Sequence, residues 1–128
     1  MKENTTTLKD TFIKALQSYK KRNFEIAQTL CNKILSIDPD HFDSLLLLAN
    51  IFALNSNYSG AKELLSKANE IKPNNLGVLN NLGTACKELG ELKNAIDYYK
   101  KTIQIDPNNA NAHYNLGAAY YDLKQLKE

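Results

Sequence analysis

Three prolines, Pro39, Pro73 and Pro107, stand 34 residues apart, and each follows an isoleucine by two positions: Ile37, Ile71 and Ile105. A constant period of this length marks a stack of repeated supersecondary units, each too small to bury its own apolar face alone. Proline lacks the N–H that a helix interior needs, and its ring clashes with the preceding turn. Asp38-Pro39-Asp40, Lys72-Pro73-Asn74 and Asp106-Pro107-Asn108 are therefore read as turns between units.

Setting each proline at position 32 of a 34-residue unit places the units at 8–41, 42–75 and 76–109, with a partial fourth at 110–128 and a flexible N-terminus over 1–7. Small residues then align at the eighth slot (Ala15, Ala49, Gly83, Gly117) and again at the twentieth (Ala27, Ala61, Ala95). Packed helices approach most closely at such slots, and a larger side chain would push them apart. Between the slots, apolar residues recur at helical spacing: Leu45, Leu48 and Phe52 in one unit, then Leu79, Leu82, Cys86, Leu92, Ile96 and Tyr99 in the next. Asn55-Ser56-Asn57 and Leu89-Gly90-Glu91 break each unit midway, so every unit reads as two amphipathic helices.

This pattern resembles the tetratricopeptide repeat, with Asn81-Leu82-Gly83, Ala95, Tyr99 and Ile105-Asp106-Pro107 as its cleanest copy. The resemblance implies an all-α fold, a right-handed superhelical solenoid of antiparallel helix pairs. The first unit departs most, with Thr11, Lys14 and Ser18 in slots the family fills with apolar or aromatic groups, which suits an exposed terminal cap or else marks a degenerate unit that frays.

Composition narrows the function more by exclusion. The net charge is +2 and only one of the sixteen basic residues is arginine, which argues against nucleic acid. The Lys20-Lys21-Arg22 spot reads as a solvated helix end. Cys31 and Cys86 lie far apart on apolar faces, as buried thiols of a reducing compartment do, and a cytoplasmic location without membrane association is expected. His113 is assigned to an apolar packing slot and His41 to a turn, too distant for a shared metal site. Glu63 is expected to pair with Lys67. No nucleophile with a base at motif spacing and no phosphate loop appears, so neither catalysis nor a cofactor is expected.

The resemblance puts a protein or peptide ligand on the concave face lined by the first helices, making the chain an interaction scaffold. By slot, that face carries Phe12 and Leu16, then Leu46, Leu47 and Asn50, then Asn80, Asn81 and Thr84, and finally Tyr114, Asn115 and Tyr121. Asn81 and Asn115 share a slot one unit apart, an arrangement similar to the asparagine ladder of helical arrays preceding O-linked N-acetylglucosamine-transferring enzymes. An asparagine amide both donates and accepts, and so grips a peptide backbone without reading its side chains. Family members that hold acidic chaperone tails use lysine and arginine at set slots; here Phe12 or Leu46, Asn111 and Asn115 stand there, so such tails are disfavoured.

Two alternatives stay open. Ala27-Gln28, Cys31, Ile34-Leu35 and Asp38-Pro39-Asp40-His41 resemble the opening repeat of bacterial chains carrying a glycosyltransferase or sulfotransferase domain, which implies a substrate-selecting or dimerising arm. The fourth unit stops before its second small slot. A longer natural chain is therefore expected, or else self-association through 110–126.

Overall fold

The computed structural model describes residues 5–127, which hold seven α-helices: α1 (Thr5–Lys20), α2 (Phe24–Ile37), α3 (Phe42–Leu54), α4 (Tyr58–Ile71), α5 (Leu76–Glu88), α6 (Leu92–Ile105) and α7 (Ala110–Lys127). Of the stretch expected to be flexible, residues 1–4 lie outside the described residues, and Thr5 opens α1. Each helix packs on the next in sequence, and α7 also reaches α5. The fold is an all-α solenoid of helix pairs.

One backbone device closes each of the three pairs. The N–H of Asn23, Asn57 and Glu91 donates back to the carbonyl of Ser18, Phe52 and Cys86 respectively, each at 2.8 Å. This is the Schellman closure, which requires a left-handed residue just before the donor. Arg22 (φ 64°), Ser56 (φ 61°) and Gly90 (φ 82°) supply it. Only the glycine takes that conformation without a steric penalty; the other two cost about 1–2 kcal/mol each. Between pairs a second device recurs. His41 Nδ1, Asn75 Oδ1 and Asn109 Oδ1 accept the N–H of Ser44, Val78 and Ala112 at 3.3, 3.1 and 2.9 Å, capping α3, α5 and α7.

The core runs through the array as linked clusters. Ala15, Ala27, Cys31, Leu48 and Ile51 join the first two pairs; Leu45, Ala49, Ala61, Leu65, Val78 and Leu82 join the second to the third; Cys86, Ala95, Ile96, Tyr99 and Ala119 carry it to α7. Both thiols are free and buried, and burial pushes Cys31 up to about 11.

Three expectations need correction. Leu47 is not on the open face: it is buried against the α1–α2 pair, because the run Leu45–Leu48 presents apolar groups to both neighbours at once. His113 is exposed rather than packed, with Nε2 2.7 Å from the Pro107 carbonyl oxygen; the smaller Ala112 takes the buried position beside it. Lys67 of α4 lies 3.8 Å from Asp40 in the turn between α2 and α3, an ion pair other than the one expected with Glu63.

The small slots explain the helix spacing. A Cβ on Gly83 would meet the fully buried Tyr99 ring at 2.5 Å, whereas a Cβ on Gly117 would meet nothing within 4 Å. Gly83→Ala should therefore cost about 1–3 kcal/mol through overpacking. Gly117→Ala, which only removes a poor helix former, should stabilise dilute protein by up to about 1 kcal/mol. Urea denaturation of the two variants checks the opposite signs.

Candidate peptide-binding face

The first helices α1, α3, α5 and α7 bring Phe12, Leu16, Asn50, Asn81, Thr84, Tyr114 and Tyr121 into three separate depressions, which Leu46, Asn80 and Asn115 do not line. Phe12 and Leu16 line an N-terminal cleft of about 440 Å³ together with Leu8, Ile13, His41 and Asp43. Phe12 packs against His41 with the rings tilted by 48° and their centroids 5.6 Å apart, so the cap of α3 forms one wall. Leu46 is half-buried against the core joining the second and third pairs.

Asn50, Asn81 and Thr84 converge on a tighter central cleft of about 80 Å³, floored by Ala49, Ala53 and Ala85 and walled by Tyr58. Asn50 and Asn81 are exposed, so their amides are available to a ligand. Thr84 is held from behind: its Oγ1 bonds the Asn80 carbonyl at 3.1 Å and shares a 3.1 Å hydrogen bond with the Tyr99 hydroxyl. Burial pushes that tyrosine hydroxyl upward in pKa. Asn80 behaves differently from its neighbour. Its amide oxygen is buried without a hydrogen-bond partner, out of a ligand's reach and at a cost of about 1–3 kcal/mol.

The third depression lies on α7, where Tyr114 and Tyr121 flank Gly117 and Ala118 in a shallow groove of about 420 Å³. These tyrosines are 77% and 64% exposed, far more than Phe12 at the same slot as Tyr114. Asn115 is half-buried one unit beyond Asn81. The roles of Tyr58 and His41 in the cleft walls are not legible in the sequence, since Tyr58 follows the closure at Ser56 and His41 is placed by its capping of α3 after the Pro39 turn.

Charge enters two of the depressions: Lys9, Asp38 and Asp43 line the N-terminal cleft and Asp122 the groove on α7, whereas the central cleft has none. Lys62 of α4 pairs with Glu91 at the start of α6, an ion pair that raises the lysine and lowers the carboxylate, and so ties the second unit to the third. Among the described residues there is no cluster of three or more metal-ligating side chains, and no helix long and apolar enough to cross a membrane.

With that geometry in place, comparison with known proteins is decisive for the family. The family model described as anaphase-promoting complex, cyclosome, subunit 3 matches residues 20–102, and the TPR repeat model matches residues 83–124. The chain is a tetratricopeptide-repeat protein. No curated protein sequence matches it. Among solved tetratricopeptide structures, the first TPR of Spaghetti (RPAP3) bound to the HSP90 peptide SRMEEVD superposes with a TM-score of 0.88 at 17% identity, over 94% of this chain and 96% of that one. MamA gives 0.82 at 25% identity, over 86% and 64%. The Thermobaculum terrenum O-GlcNAc transferase gives 0.81 at 24% identity, over 93% of this chain but 23% of the transferase.

Because Asn81 is exposed and supports no other side chain through a hydrogen bond given by the structure, Asn81→Ala should leave stability within about 0.5 kcal/mol of the parent. Thermal unfolding checks this, and a larger loss would mean that the amide is structural.

Proposed function

We propose that this tetratricopeptide array is a protein-interaction module that takes an extended, uncharged peptide segment along the inner face. An apolar side chain enters the cleft at Phe12 and Leu16, and the backbone crosses Asn50, Asn81 and Thr84 toward Asn115, Tyr114 and Tyr121. The observation that carries the reading is the convergence of two exposed amides and a hydroxyl on an alanine-floored cleft. Such groups satisfy a peptide's N–H and C=O groups, while the floor admits the chain closely.

Peptide binding by a superposable array is documented in the Spaghetti complex, whose ligand is the acidic HSP90 peptide SRMEEVD. The chemistry proposed here differs. Phe12 or Leu46, Asn111 and Asn115 occupy the slots where a carboxylate-rich tail needs cations, so such a tail would surrender its hydration without charge compensation. A second reading, a substrate-selecting arm of a larger enzyme, draws its support from the transferase superposition, in which a chain like this spans 23% of the whole. It uses the same face.

Peptide-display selection against the chain should enrich neutral segments with an aliphatic or aromatic anchor. Asn50→Ala and Asn81→Ala should each weaken a selected peptide about 2- to 10-fold by isothermal titration, the range expected for one hydrogen bond. Unchanged affinity in both variants, or enrichment of acidic tails, would overturn the proposal.

A further inference from the structure

The central cleft is open where the preceding junction of the array is full. Each of its nine lining residues has a counterpart 34 positions earlier in the chain. All of those counterparts except Asn50 belong to the cluster that packs α1 and α2 against α3. The same slots thus form solid core at one junction and a cleft at the next.

Four changes of residue account for the difference. Tyr19 and Ile51 give way to Ala53 and Ala85, and Leu16 and Leu47 give way to Asn50 and Asn81. At the first junction Ile51 and Leu47 are buried, and the Tyr19 ring meets Phe24 edge-on with centroids 5.4 Å apart. At the second, the alanines leave a space of about 80 Å³ and the amides stand exposed. At the junction with α7, the slot of Leu65 holds the fully buried Tyr99. Both α3 and α5 have a helix packed on them from either side in sequence, so no absent neighbour explains the opening. Elsewhere the fold fills such a space with a side chain of its own, because unfilled volume forfeits packing.

We infer that the central cleft is a side-chain pocket that selects a small branched residue, valine, at the ligand position crossing Asn50 and Asn81. This deepens the peptide reading above and rests on it. Size decides the class. A cavity of about 150 Å³ holds a benzene ring, so about half that volume holds the three carbons of an isopropyl group and excludes an aromatic ring. The bottom is Ala49, Ala61 and Leu65, all buried, so a polar side chain entering there would lose its water without gaining a partner. Valine's branched Cβ also favours the extended backbone that the two amides hold. The larger cleft at Phe12 sets no such ceiling, so the two sites read different side chains of one segment.

Peptides selected from a randomised display library on the chain of 128 residues supply the probe. Each position of a peptide weakened by Asn50→Ala and Asn81→Ala is set in turn to Ala, Val, Leu and Phe, and affinity is read by isothermal titration. One position should prefer Val, with Ala and Leu each about 10-fold weaker and Phe weaker still. Ala53→Val fills the cleft from its floor and should erase the preference for Val over Ala at that position. Tyr58→Ala removes a wall and should move the preference to Leu, with circular dichroism confirming unchanged helix content in both variants. A general structural defect would weaken every peptide alike and move neither preference. No position at which Val exceeds Leu and Phe, or a Val preference that neither cleft variant moves, would overturn this inference and leave the peptide reading standing. Indifference of every selected peptide to the two asparagine variants would overturn both.

Discussion

The close approach of paired helices at a residue without bulk is the constraint on which the array depends. Gly83 shows it most sharply, because the Tyr99 ring occupies the volume a side chain would need. That ring is fully buried and its hydroxyl reaches Thr84, so one tyrosine sets the spacing of α5 and α6 and also steadies a side chain of the central cleft. Packing density and the shape of the inner face thus share an origin. A shift of the helices would displace Thr84 along with the core.

Much of this was legible before any coordinates. The prolines mark the turns, the alanines and glycines mark the contacts, and the apolar spacing between them sets two helices per unit, since those features answer to local geometry and burial alone. The closures were only half visible. Gly90 announces a left-handed residue, but Arg22 and Ser56 do the same work without any compositional sign, held there against their intrinsic preference by the closing backbone hydrogen bonds of Asn23 and Asn57. Leu47 and His113 show the other limit. A slot rule assigns a face from rotation about one helix, whereas burial depends on what the neighbouring pair brings to that face.

The inner face was readable as a list of positions and not as a site. Sequence places Asn50, Asn80, Asn81 and Thr84 on the same side, but it does not reveal that Asn80 turns its amide oxygen into the interior while Asn81 stays open. Nor does it show that Phe12 shares a wall with the histidine that caps α3. Adjacent residues separate in role because one helical step of about 100° is enough to carry a side chain from solvent into a helix junction.

The order of contacts carries a further consequence. Apart from the α5–α7 contact, the main helix packing joins sequence neighbours, so no distant segment locks the ends in place. Cohesion in such a molecule is a nearest-neighbour quantity, and loosening should start at the margins and travel inward unit by unit rather than seize the whole at once. The Lys62–Glu91 tie spans the junction in the middle of that line. It acts as a clasp where a wave of opening from either extremity would have to pass.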